Sequence, residues 1–255
     1  PYIGTKPFKF FNFLTLHPDF VQTVVDFWIQ AGGHATFLGD LCWKLKQLKP
    51  ILRKLHKNNF SKIQKRVTIA NSVLQLVQAE LLQSPTPELF QKEKELHEKW
   101  EFLRRIEEAY FRQKSRINWL KKGDLNTSYF HRIWKVHTAV NSIRSFLLPK
   151  GILLIDPIAM GELAVAHFKS IIAPENTPST ISTPNWFHSL LDFRCTQQQC
   201  ESLSALPTRE TIEKTLLRLN PNKAPGPDGL TSGFYKAAWS IIGVEVTDSI
   251  AAFFT

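Results

Sequence analysis

Apolar residues recur at three- and four-residue steps over most of this chain, the period of a helix with one buried face. Between Leu41 and Phe60 that face is Leu41, Leu45, Leu48, Leu52 and Leu55, and Lys44, Lys46, Lys49, Arg53, Lys54 and Lys57 fill most other positions. Pro50 lies inside the run and predicts a break or kink, because its ring removes a backbone donor and crowds the preceding turn. A second helix is predicted from Ser61 to Gln83, ending at Ser84-Pro85-Thr86-Pro87. The third pattern is the clearest: Leu89, Leu96, Leu103, Tyr110 and Ile117 repeat every seven residues, with Trp100, Ile106 and Phe111 beside them. An intermolecular zipper needs a second apolar position in each repeat, and Glu93, Glu107 and Lys114 stand there, so the stripe is expected to pack on the two preceding helices. Lys121-Lys122-Gly123-Asp124 reads as a helix end and restart: cations suit the carbonyl end, and glycine permits a left-handed cap. Asp124, Asn126 or Thr127 then caps a helix through Tyr129, Phe130, Ile133 and Trp134.

Elsewhere the pattern changes. Lys6 to Leu14 is short and aromatic-rich and reads as a strand. No partner strand follows, and a lone strand has no independent stability, so it reads as an orphan N-terminal strand from a sheet on the N-terminal side. His17-Pro18-Asp19 opens a helix with Phe20, Val24, Phe27 and Trp28 on one face. Ile143 to Ile155 reads as a hairpin turning at Pro149-Lys150-Gly151, followed by a helix through Ala164, Val165 and Phe168. Residues 173–207, with Pro174, Pro178, Pro184 and Pro207, read as a linker. Thr208 caps a short helix with Ile212, Leu216 and Leu219. Asn222 to Gly229 is then a stiff turn, in which prolines set φ and Gly226 and Gly229 are free to take positive φ. Ser232 caps a last helix through Phe234, Ala238, Ile241 and Ile242. The fold class expected is mainly α, with long basic helices and a small β-hairpin.

Charge sharpens this picture. Residues 1–40 hold 2 Lys/Arg against 3 Asp/Glu, residues 41–150 hold 23 against 9, and residues 151–255 hold 7 against 10. All of the excess positive charge therefore sits in the middle segment, at a net +14, where a phosphate-bearing partner would be attracted. The alternative is a solubilising helix surface. Cys42, Cys195 and Cys200 form no disulfide framework, which suits a reducing, intracellular setting, with the nucleus one candidate compartment. Cys195 and Cys200 lie near His188 without the paired spacing of a zinc site, so no metal is expected. His131 and His137, near Trp134, read as packed or exposed. No apolar run reaches the roughly 18 residues of a membrane span, so no membrane is expected as a partner.

Three motifs carry a resemblance. Lys223-Ala224-Pro225-Gly226-Pro227-Asp228-Gly229-Leu230, with Phe234-Tyr235-Lys236 and Trp239, resembles the opening block of non-LTR reverse transcriptases. Ser115-Arg116-Ile117-Asn118-Trp119-Leu120, continuing to Tyr129-Phe130-His131, resembles the linker between endonuclease and polymerase in plant LINE polyproteins. Lys6-Pro7-Phe8-Lys9-Phe10-Phe11-Asn12-Phe13 with His17-Pro18-Asp19-Phe20 is similar to the stretch just after that family's endonuclease. The three stand in family order and span nearly the whole chain. One departure is Gly233, where the family usually has an acidic residue. Glycine weakens a first helical turn by up to about 1 kcal/mol, and an unselected copy accumulates such changes.

The resemblance implies a segmentation: residues 1–36 a tail after the endonuclease, 37–172 a basic helical linker region, 173–207 a loop-like linker, and 208–255 an incomplete start of the reverse-transcriptase fingers. It implies an RNA-directed DNA polymerase as the parent. A polymerase needs carboxylates that hold two divalent metals, Mg in the intact enzyme. The family's Asp-Asp pair does not occur in this chain, so no catalytic residue and no cofactor are assigned to it. Asp228 reads as turn chemistry. The expected partner is RNA or DNA, bound non-specifically through Arg116, Lys121, Lys122, Arg132 and Lys135. Trp119 and Trp134 are either stacking groups or core, and the resemblance places Lys223 near template. Two other readings stay open: a decayed remnant with no role, and a working polymerase completed by other segments. Oligomeric state is left open.

Overall fold

The computed structural model describes residues 7–117, 127–172, 186, 190 and 193–254. It is mainly helical with one small antiparallel hairpin. The chain divides into two units, Pro7–Val140 with Pro207–Thr255, and Pro1–Lys6 with Asn141–Leu206.

In the larger unit, α1 spans Asp19–Gln30 and α2 spans Leu38–Phe60. The expected break at Pro50 is absent, and α2 runs through it. Pro50 and Lys46 are both on the exposed face, so the carbonyl that loses its donor is open to water, which lowers the penalty. α3 spans Ile63–Gln83 and α4 spans Pro87–Ser115. Thr86 caps α4, its side chain accepting from the Leu89 N–H at 3.3 Å, with Pro87 in the first position, where a missing N–H costs nothing. The seven-residue stripe packs against α3, which buries Ala70, Leu74 and Val77. α5, Thr127–Val140, packs on the end of α4 through Phe111, Ile117 and Phe130.

The Lys6–Leu14 strand expectation is corrected. Residues 7–11 are irregular, and Asn12–Leu16 form a 3-10 turn. Each aromatic buried here finds its partners in other helices, and the backbone donor of Phe10 bonds to the carbonyl of Gly229 at 2.8 Å. The segment needs no sheet because its backbone groups find other partners: besides the Gly229 carbonyl, the Gln113 side chain accepts from the Asn12 N–H and donates to the Phe10 carbonyl. Phe10, Phe20 and Phe234 meet at ring centroid distances of 5.4–6.4 Å. The N-terminal stretch and the last helix thus share one core, although the sequence segmentation sets them apart.

α8, Arg209–Arg218, and α9, Ser232–Phe254, close this unit. By length and composition α9 suits a membrane span, contrary to the expectation from the sequence that no apolar run is long enough. One of its faces lies in the protein core through Phe234, Ala238, Ile242 and Val246. That face also carries Glu245, which accepts from Lys44 Nζ at 2.8 and 2.9 Å, from Trp28 Nε1 at 2.8 Å and from the Ala35 N–H at 3.0 Å. Burial would raise the Glu245 carboxyl, but those hydrogen bonds and the Lys44 charge outweigh it and hold it below its ordinary value.

The smaller unit contains β1, Phe146–Leu147, paired antiparallel with β2, Leu153–Leu154, so that Phe146 faces Leu154 and Leu147 faces Leu153. The hairpin is shorter than the Ile143–Ile155 pattern suggests, because Pro149–Gly151 form a 3-10 turn within it. α6, Pro157–Ile172, follows. α7, Gln197–Ser204, lies inside the stretch read as a linker, started by a reciprocal capping box between Thr196 and Gln199.

Candidate nucleic-acid interface

Two grooves flank the junction of α2 and α3. The first, about 410 Å³, is floored by His56, Tyr110, Phe111 and Trp134, with Lys62 and Lys65 on its lining. The second, about 440 Å³, runs between α3 and α4 and is lined by Lys62, Lys65, Arg66, Lys99 and apolar residues such as Val73 and Leu96. They share Ser61, Lys62 and Lys65 and so adjoin at the start of α3, and the two together are called the track. Neither is lined by an Asp or Glu among the described residues.

Local chemistry sets this junction. Lys62 stands between the two helices in the left-handed region at φ 53°. Arg66 fixes it by donating from Nε to the Ser61 carbonyl at 2.9 Å and from Nη2 to the Asn58 carbonyl at 2.6 Å, which satisfies free carbonyls at the end of α2. Lys114 is held over the rings of Tyr110 at 4.2 Å and Trp134 at 4.4 Å, and it also bonds to the Tyr110 hydroxyl. Burial first, then the Lys114 charge, push the His56 imidazole below its ordinary value, so it stays neutral at physiological pH.

The proposed phosphate contacts fall in separate places. Arg116 is exposed at the left-handed end of α4, φ 58°. It lies near Lys9, whose ammonium is depressed by burial and by the charges of Arg116 and Lys114. Arg132 and Lys135 are exposed one turn apart on α5. Lys223 is exposed in the turn after α8, its backbone N–H bonded to the Asn220 carbonyl at 3.2 Å. Lys121, Lys122 and Trp119 lie outside the described residues. Trp134 is half-buried on the groove floor. His131 packs edge-on to Phe111 at 4.8 Å, and His137 is exposed.

Sequence reading missed Lys62, Lys65 and Lys99 as a set and counted Lys44 with the surface cations. Lys44 is in fact 4% exposed and bonded to Glu245. One cue for the groove was present: α3 has no acid in its first turn, yet Lys62, Lys65 and Arg66 stand at its start. Cations there oppose the helix dipole of α3; Arg66 is accounted for by its bonds to the end of α2, and Lys62 and Lys65 are not.

The Lys223–Gly229 motif is built as a docking turn. Asp228 accepts from the Tyr235 hydroxyl at 3.1 Å. Burial, and then the Asp228 charge and hydrogen bond, raise that hydroxyl far above its ordinary value. Gly229 sits at φ +77°, and a Cβ there would lie 2.0 Å from the Phe8 carbonyl oxygen. A Cβ at Gly233 would lie 2.6 Å from Asn12 Oδ1. That Asn12 oxygen accepts from Thr231 Oγ1 at 2.6 Å, while Asn12 Nδ2 donates to the Pro221 carbonyl at 2.8 Å. Gly233 therefore leaves room for a bonded side chain, a packing role that sequence reading had not seen. Among the described residues no three His, Cys, Asp or Glu side chains converge as a metal site, and the three cysteines are free and exposed. No protein-family model matches the chain, and no curated protein matches it.

Proposed function

We propose that the chain is a nucleic-acid-binding segment of a LINE-type (non-LTR) retrotransposon polyprotein, covering the basic linker and the opening block of the reverse transcriptase, and that on its own it copies nothing. The observation that carries the binding reading is the net +14 of residues 41–150 together with a groove track lined by cations and no carboxylate. Charge of this kind attracts phosphates without regard to sequence. The retrotransposon assignment rests on the three motif resemblances. Lys223 and Asp228 hold a turn, and no step of polymer synthesis is assigned to either.

The test is binding of the purified chain to labelled single-stranded RNA and to duplex DNA across a salt series. A steep fall of affinity with salt is expected, about 0.9 log–log units per neutralised phosphate on duplex DNA. Replacing Lys121 and Lys122 with Ala should weaken binding evenly across sequences and lower that slope. Absence of binding at low salt would overturn the reading. So would metal-dependent primer extension by the chain alone, which would make it a polymerase.

A second reading, a remnant without a biochemical role, is favoured by the smaller unit. There Ile143, Leu147, Ile155, Phe168 and Ile172 are all more than half exposed, which leaves apolar surface without the cover that a stable domain usually provides. Non-cooperative unfolding of the soluble chain would favour it.

A further inference from the structure

The track at the α2–α3 junction has features that bear on whether an unpaired strand or a duplex would occupy it. Three observations bear on this. The first groove has an aromatic floor, Tyr110, Phe111 and Trp134, and a volume of about 410 Å³, within the range of small-ligand sites. An unstacked base fits such a space, whereas the bases of a duplex are stacked and paired away from it. Next, Lys62 and Lys65 border this groove and also line the second, so charge continues from the aromatic floor along α3 to Lys99. A strand lying along that line presents a base to the floor and its phosphates to the lysines. Finally, no acidic side chain lines either groove among the described residues, so no carboxylate there would repel a phosphate directly.

We infer that this track is a binding site for single-stranded nucleic acid, RNA or DNA, with a base against Trp134 and Tyr110 and backbone phosphates on Lys62 and Lys65. This rests on the nucleic-acid reading above and deepens it. Lys114, held over both rings, keeps a positive charge beside them and is not on the groove lining, so a base would meet the ring surfaces that do line the groove. Arg66 has a structural part, since its guanidinium is bonded to the Asn58 and Ser61 carbonyls. The site selects for unpaired bases and not for a base sequence, because every base has a face to stack.

The test uses the full chain with oligo(U), oligo(dT) and a hairpin duplex of matched phosphate number at one salt concentration. The single strands are expected to bind several-fold more tightly than the duplex. Trp134→Leu keeps an apolar group against Phe111 and removes the stacking ring. It should cost about tenfold for single strands, the scale of one lost base stack, with duplex affinity unchanged. The double variant Lys62→Asn/Lys65→Gln should lower the single-strand salt slope by about 1.4, at roughly 0.7 per cation. Asn tolerates the left-handed backbone of Lys62, and both lysines are exposed, so this pair keeps the test decisive if Trp134→Leu fails to fold. Equal binding of single strands and duplex, or an unchanged slope in the lysine double variant, would overturn the inference while leaving general nucleic-acid binding standing. Loss of all binding to every probe would remove both.

Discussion

Lys44 and Lys65 belong to one basic stretch of sequence and come to opposite ends. Lys44 is enclosed with a carboxylate that also takes bonds from Trp28 and the Ala35 backbone. Lys65 lies on a track with no carboxylate lining it. The first charge is consumed inside the fold, where it ties α2 to α9, and the second is left for a partner. Net charge therefore overstates what the surface offers, and the tertiary partner of each lysine decides which count. The comparison also separates stability from binding. A buried pair is sensitive to the loss of either member, because the survivor is an uncompensated charge in a poor solvent. A solvated lysine is nearly free to change.

The largest effect expected is at the buried end. Lys44→Ala should lower unfolding stability by about 3–5 kcal/mol, measured by denaturant titration. A loss below about 1 kcal/mol would mean that water reaches the pair. The same pair predicts a pH dependence. Because the Glu245 carboxyl is held below its ordinary value of 4.5, the folded state binds fewer protons at this group than the unfolded chain does. Its contribution is present above pH 4.5 and is lost as pH falls through the depressed value. Glu245→Gln should flatten that part of the acid limb. An acid limb of unchanged shape would assign it to other carboxylates.

Gly229→Ala comes next, at about 2–3 kcal/mol, since it meets both a left-handed backbone and the Phe8 carbonyl. Gly233→Glu should be smaller, a net loss of about 1 kcal/mol. The Asn12 hydrogen bonds would be displaced, and better helix propensity offsets only part of that. If Gly233→Glu stabilises the chain, the glycine is a plain defect in the helix start and the remnant reading gains. The smallest stability change is expected for Lys62→Asn/Lys65→Gln, within about 0.5 kcal/mol. A large loss there would show that these cations, like Lys44, are part of the fold.

Much of the helical layout could be read from spacing. The seven-residue stripe of α4, the Thr208 cap and the short helix of Ile212 all follow from local rules, and each lies within a few residues of its expected place. Pro50 shows the limit of such rules. A proline mid-helix is a local penalty, and α2 accepts it because Leu45, Leu48 and Leu52 around it are fully or nearly fully buried. The stretch 7–16 shows a different limit. Its aromatics marked it as buried, but its conformation depended on Gly229, Thr231 and Gln113, whose side chains or carbonyls complete its hydrogen bonding. The groove was harder still to foresee, since it draws residues from α2, α3, α4 and α5, and only the cations at the start of α3 gave a local hint.

By itself the sequence determined the helical class, the concentration of positive charge in the middle of the chain and the turn chemistry of residues 222–229, because periodicity, charge and backbone preference are properties of neighbouring residues. Only the tertiary structure decided which lysine is neutralised and which is offered, that the N-terminal aromatic segment seats on a distant glycine turn, and that Tyr110 and Trp134 floor one groove. Those outcomes depend on which side chains meet across long loops, and burial and pairing energies are settled between the elements that meet there.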